Sequence, residues 1–214
     1  MKVAVLGSGA FGLALAKLFS KNNNVVLYSN SEIEIHEILI TRRIKAFPGY
    51  KIDDSIEFTA NIEKAVKDAT LIVFAVPSFA VEEVAKELHQ YLDGDEYILI
   101  ASKGIEKSEL LSNIVFNHTR NEKIAVLGGG TFAKDIINDK EIGCTIASKN
   151  IETLIAVDLL LKQNQVITET TSDLIRTEIC GPAKNVYAIC IAIAFFGRFF
   201  WRCSPYFTTG WKAH

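Results

Sequence analysis

Six residues near the start of the chain, Gly7-Ser8-Gly9-Ala10-Phe11-Gly12, have the types and spacing to hold an anion. The apolar run Val3–Leu6 precedes them, and a helix-period segment with small residues on one side, Ala10–Asn22, follows. This gives a G-x-G-x-x-G turn its strand-to-helix setting. Gly7 can make the tight turn, Gly9 lets backbone approach a pyrophosphate, and Gly12 lets the helix lie close on the sheet, with amides at the helix start facing the anion. A second stretch, EICGPAKNVYA from Glu178 to Ala188, sets Lys184 and Asn185 at the mouth of an apolar helix. Taken alone, each lysine of the chain reads first as a solvated surface charge.

The elements that must position these residues follow from periodicity. Apolar runs bounded by turn residues recur at Val3–Leu6, Val25–Tyr28, Leu71–Val76, Tyr97–Ile100, Ile124–Leu127 and Thr145–Ala147. Helix-period segments lie between most of them, at Ala10–Asn22, Glu32–Thr41, Asn61–Lys67, Phe79–Leu88, Ser108–His118 and Asn150–Lys162, with Asn61, Ser78 and Asn150 as N-caps. The alternation predicts an α/β fold, a doubly wound, mostly parallel sheet of Rossmann type with helices on both faces. Arg42–Ser55 carries the turn signal FPGY and is expected to be a loop. A polar stretch around Thr168–Ser172 marks the expected boundary between a dinucleotide-binding domain, residues 1–170, and a helical segment, residues 171–214.

Composition narrows the function. With 214 residues, 49% of them hydrophobic, the chain can bury a core, and a net charge of −2 supplies no basic field for nucleic acid. Cys144, Cys180, Cys190 and Cys203 form no C-x-x-C pair and have no close histidine, so no metal site or disulfide framework is expected and reduced, cytoplasmic thiols are. Met1-Lys2 leads directly into a strand, without the features of a secretory signal. The apolar run Val186–Gly197 falls short of the roughly 20 residues a membrane span needs. His36, His89, His118 and His214 share no motif.

Cofactor choice in this fold is read at the end of the second strand, here Tyr28-Ser29-Asn30, where no carboxylate stands. Either NADPH or NADH is therefore expected. Arg42 and Arg43 are either a helper pair for a 2′-phosphate or a solvated pair.

Four further stretches, NIEKAVKDATLIVFAVPS, ASKGIE, LGGGTFAKD and EICGPAKNVYA, occur in this order after the glycine loop. Together they resemble the bacterial-type NAD(P)-dependent glycerol-3-phosphate dehydrogenases, from Met1 to about Ala194. The resemblance implies an oxidoreductase that reduces dihydroxyacetone phosphate to sn-glycerol 3-phosphate for glycerophospholipid synthesis. It places Lys184 in proton transfer and Lys103 beside both substrate and cofactor, an ammonium pair whose mutual repulsion and desolvation would lower a pKa toward a useful value. It also places Gly129, Thr131 and Asn185 at the substrate, and Gly7, Gly9, Ala10, Phe11, Gly12, Asn30 and Ala133 at the cofactor, with Phe79 on the nicotinamide side. Gly130 stands where the family usually has proline.

Beyond Ala194 the resemblance stops, and the chain reads FFGRFFWRCSPYFTTGWKAH where the family continues into a full helical domain. This leads to the expectation of a C-terminally truncated chain whose apolar helix, Ser172–Phe196, is exposed and pairs as a homodimer or aggregates. Nucleotide binding is then retained with little or no turnover. The alternatives are an inactive nucleotide-binding remnant of a decayed gene and a different reductase on the same fold, such as a ketopantoate reductase, against which SKGIE and GGGTFAKD argue.

Overall fold

A computed structural model describes residues 1–130, 133–162 and 166–203, and in the last helix the side chains at 184, 185, 188 and 195–203 lie outside the description. In chain order the described elements are β1 (Lys2–Leu6), α1 (Ala10–Ser20), β2 (Asn24–Tyr28), α2 (Glu32–Thr41), β3 (Ile56–Thr59), α3 (Ile62–Val66), β4 (Leu71–Phe74), α4 (Val81–Leu88) and β5 (Tyr97–Ile100). A two-stranded hairpin, β6 (Ile105–Glu106) and β7 (Glu109–Leu110), leads into α5 (Leu111–Thr119) and β8 (Ile124–Gly128). The rest is α6 (Ala133–Ile137), β9 (Ile142–Ala147), α7 (Ile151–Lys162), β10 (Val166–Thr171) and α8 (Leu174–Cys203).

Eight strands form one sheet in the order β10-β9-β8-β5-β4-β1-β2-β3. The six from β3 to β8 are mutually parallel, β9 runs antiparallel to β8, and β10 is parallel to β9. The expected doubly wound, mostly parallel sheet is therefore present. Its strands are apolar on both faces because both faces are covered. One layer packs Leu13, Phe19, Ile35, Ile38, Ile136 and Leu160 over Val3, Val5, Leu27 and Val73. The opposite layer packs Ile62, Val66, Leu88, Leu111 and Val115 over Ala4, Leu6, Ile72 and Phe74. Alternate residues of one strand thus enter different cores, as a side-chain period of two requires. Each fully buried leucine, isoleucine or phenylalanine among them contributes about 1.5–3 kcal/mol.

Helix starts follow local chemistry. Ser31 accepts from the Glu34 amide at 3.2 Å, Asn61 from the Lys64 amide at 2.8 Å and Asn150 from the Thr153 amide at 2.9 Å. Ser78 departs from its expected role: it opens a short 3-10 turn, Ser78–Ala80, and α4 starts after it with no side-chain cap. Residues 42–55 form the expected loop, held by Ile44 and Ile52, which are buried.

Thr168–Thr171, part of the polar stretch expected at a domain boundary, lies within edge strand β10. Only Val166 of this strand is buried, as befits its place at the edge of the sheet. The edge strand β3, the hairpin strands β6 and β7 and the helix α6 were also not expected, all of them too short for a periodic signal. Among the described residues no helix is long and apolar enough to cross a membrane.

Candidate dinucleotide site

Strand order reverses between β1 and β4, where the chain first builds outward through β2 and β3 and then returns to build through β5 and β8. A crevice opens at the carboxyl ends of such strands, the usual ligand position in open α/β sheets. Here it is a cleft of about 730 Å³, lined along the glycine loop by residues 7–11, along the β2 end by residues 28–30, and by Phe79, Lys103 and Ala133 across from them. Its size lies within the range of small-molecule sites, about 300–1,000 Å³.

The loop is built by sterics. Gly7 has φ +119°, and a Cβ there would lie 2.7 Å from the Ala75 carbonyl oxygen at the end of β4. Its amide donates to the Tyr28 carbonyl at 2.9 Å, tying the turn to β2. A Cβ on Gly12 would sit 1.8 Å from the Gly7 carbonyl oxygen, so only glycine allows α1 to start so close to the turn. Gly9 differs: a Cβ there would meet nothing within 4 Å. It is the N-cap of α1, makes no side-chain capping bond, and no acid stands in the first turn. The positive end of the helix is thus left to an external anion, and the space a side chain would fill beside it is open. These residues fit a dinucleotide's pyrophosphate.

Lys103 is fixed by the turn that follows β5. The Ala101 and Ser102 amides both donate to the Phe74 carbonyl at 2.9 Å, and the Ser102 hydroxyl donates to the Val76 carbonyl at 2.6 Å. Gly104 fits so closely on Ser78 that a Cβ would come within 2.6 Å of the serine Cβ. The β5 turn is thereby clamped to the β4 turn. It holds the Lys103 ammonium over the Phe11 ring, 4.9 Å from its centroid.

Helix α8 comes to the same edge. Its residue Gly181 lies against the Lys103 stem, where a Cβ would be 3.7 Å from the lysine Cγ. Position 184 follows on that helix by three residues, close to one turn. The helix is anchored by Glu178, whose carboxylate accepts from the Ser112 amide at 3.0 Å and the Ser112 hydroxyl at 2.6 Å. Burial pushes the Glu178 carboxyl above its ordinary value, against the lowering effect of these hydrogen bonds.

Gly7, Gly9, Ala10, Phe11, Asn30, Phe79, Lys103 and Ala133 are therefore brought to one cleft, with Gly12 directly behind it. Gly129 follows β8 at the same sheet edge but packs on the β9 backbone at Cys144 rather than lining the cleft. Thr131 and the side chains of Lys184 and Asn185 lie outside the described residues. Arg42 turns to Asp54, at 3.1 Å, and to the Ile56 carbonyl, at 3.1 Å. Arg43 donates to the Pro48 carbonyl at 2.7 Å.

Among the lining residues not expected from sequence, one carries charge. Glu34 reaches the cleft from the first turn of α2, and its Oε2 accepts from the Ser8 hydroxyl at 2.6 Å and the Ser29 hydroxyl at 2.7 Å. The sequence signal was Ser31-x-x-Glu34, the pattern of a capping box.

The strand order, the glycine turn and the cleft at the switch point define a Rossmann-type dinucleotide-binding domain. The chain belongs to the NAD-dependent glycerol-3-phosphate dehydrogenases, whose N-terminal family region matches residues 2–154. It is 31% identical over 198 residues to the glycerol-3-phosphate dehydrogenase [NAD(P)+] of Teredinibacter turnerae, covering 91% of this chain and 58% of the relative. The corresponding protein of Rickettsia bellii is 32% identical over 191 residues, covering 87% and 60%. The crystal structure of glycerol-3-phosphate dehydrogenase from Coxiella burnetii superposes with a TM-score of 0.81 at 26% identity, over 90% of this chain and 60% of that one. The chain thus spans about three fifths of the length of the curated relatives it matches.

Proposed function

We propose that the cleft binds NADH or NADPH and that the chain is the nucleotide-binding part of an enzyme reducing dihydroxyacetone phosphate to sn-glycerol 3-phosphate. The observation that carries this reading is Lys103, seated over Phe11 at the cleft wall and against α8 at Gly181, the turn before Lys184. When bound, a reduced nicotinamide supplies the hydride. The chain's part is to hold the reactants together and to give a proton to the carbonyl oxygen as it gains charge. Lys184 is the donor in this reading, and Lys103 is the second cation, touching both reactants. Gly129, Thr131 and Asn185 hold the small phosphorylated substrate. Gly7, Gly9, Ala10, Phe11, Gly12, Asn30 and Ala133 hold the cofactor.

The domain division proposed with it is residues 1–170 for the nucleotide and residues 171–214 for the start of a helical part. Val186, Tyr187, Ile189, Ile191 and Ile193 of α8 are exposed, which supports a homodimer through this helix as part of the same reading. A cytoplasmic location is proposed from the unpaired cysteine pattern.

The test uses the 214-residue polypeptide. Fluorescence titration with NADH and NADPH is expected to give saturable binding that Gly9→Ala weakens at least about tenfold. NAD(P)H oxidation with dihydroxyacetone phosphate, however slow, is expected to fall further in Lys103→Met with nucleotide binding retained. Absence of binding to either dinucleotide overturns the reading. Turnover unchanged in Lys103→Met overturns the role given to the lysine.

A further inference from the structure

We infer that Glu34 sets cofactor identity, selecting a dinucleotide with a free 2′-hydroxyl on the adenosine ribose, as in NADH, against one with a 2′-phosphate. The inference rests on the reading that the cleft holds a dinucleotide. In this fold the pyrophosphate lies at the glycine turn and the adenosine ribose beside the end of β2, where an acidic residue about 20 positions beyond the glycines takes the ribose hydroxyl. The β2 end itself, Ser29-Asn30, has no acid.

Glu34 replaces it from the helix. Ser31 caps α2 by accepting from the Glu34 amide, which fixes Glu34 in the first turn. In a reciprocal capping box the glutamate would return to the Ser31 amide. Here that amide lies 3.4 Å from the Ser29 hydroxyl oxygen instead, and the carboxylate is released to the cleft. Two buried hydroxyls aim it: Ser8, inside the glycine loop, and Ser29, at the β2 end, both donate to Oε2. The carboxylate is therefore held in the corner between the glycine turn and β2, where the adenosine ribose belongs.

Its other oxygen, Oε1, accepts no hydrogen bond from the described residues, and no described lysine, arginine or histidine forms an ion pair with it. A ribose diol can donate to such an oxygen. A 2′-phosphate has nothing to donate and brings like charge against it. Competing cations are Lys103, which lines the same cleft, and Arg43 and Lys45, which border a smaller pocket of about 220 Å³ that also touches Glu34. Arg43 is engaged with the Pro48 carbonyl.

Dissociation constants for NADH and NADPH, measured by fluorescence titration of the 214-residue chain, test this without reference to turnover. The wild type is expected to bind NADH about tenfold more tightly or better, with the preference shrinking as salt rises. Glu34→Gln keeps shape and removes charge, so it should narrow the ratio to about threefold or less, mainly by improving NADPH binding. Ser29→Ala keeps the charge and should preserve the direction of preference. Equal affinities in the wild type, or tighter NADPH through Arg43 and Lys45, overturn the inference and leave the dinucleotide reading standing. So does a parallel change of both affinities in Glu34→Gln, the mark of a merely structural role. Binding of neither nucleotide removes both.

Discussion

Two alanine substitutions in the glycine loop separate folding from binding. In Gly12→Ala the new methyl would lie 1.8 Å from the Gly7 carbonyl oxygen and 2.9 Å from its carbon, both backbone atoms. Helix α1 must retreat by more than an ångström, yet Gly7 is pinned by its bond to Tyr28 and its contact with Ala75, so the turn cannot follow freely. Overpacking of this kind costs about 1–3 kcal/mol, and a backbone clash belongs at the upper end. For a chain of this size a loss of ~3 kcal/mol lowers the melting temperature by about 6–12 °C. In Gly9→Ala the methyl meets no protein atom within 4 Å, so the cost is only the poorer N-cap, about 0.5–1 kcal/mol or ~1–4 °C. Dinucleotide affinity should fall at least about tenfold in both, since α1 moves in one and the methyl fills the pyrophosphate space in the other. Thermal unfolding followed by circular dichroism, with NADH titration of the folded proteins, reads both effects. A Gly12→Ala protein melting within about 2 °C of wild type, or a Gly9→Ala protein binding as tightly as wild type, would refute this account of the loop.

Three further outcomes are expected. Glu178→Gln loses hydrogen bonds of the buried carboxylate to Ser112, at a cost of about 1–3 kcal/mol, and alters the pH profile. Because the folded carboxyl is raised above 4.5, its contribution is fully present below that pH and declines as pH rises through the folded value; urea midpoints across this window should fall less steeply in the variant. Cys144, buried and pushed up to about 12 by desolvation, should resist alkylation in the native protein while the exposed Cys180 is modified, as mass mapping would reveal; rapid labelling of Cys144 would contradict the burial of its side chain from β9 into the core. Thr153→Val should stabilise the fold by about 1 kcal/mol in denaturant titration, because the fully buried Thr153 hydroxyl has no hydrogen-bond partner among the described residues; a lower midpoint would reveal a partner, such as a buried water.

Central strands were legible because burial on both faces leaves near-continuous apolar runs: β1, β2, β4, β5 and β8 all read this way. Edge strands were not. In β10 both Glu169 and Thr170 are exposed although they point to opposite faces, and a strand so little buried has the composition of a polar connecting segment. The antiparallel entry of β9 also had no sequence signal, since it depends on the chain starting β9 at the edge where β8 ends rather than crossing back first. At the site, the cleft wall along residues 7–11 was predicted, whereas Glu34 was overlooked because expectation stopped at the residues directly following β2.

The glycine turn was legible in the sequence because its tightest approach, Gly7 to Gly12, joins near neighbours along the chain, while its ties to Tyr28 and Ala75 follow from the strand order. Only tertiary structure decided that the Glu34 carboxylate meets Ser8 and that the Lys103 stem meets Gly181. Those distances depend on strand order and on how α2 and α8 settle against the sheet, and no short-range pattern encodes them.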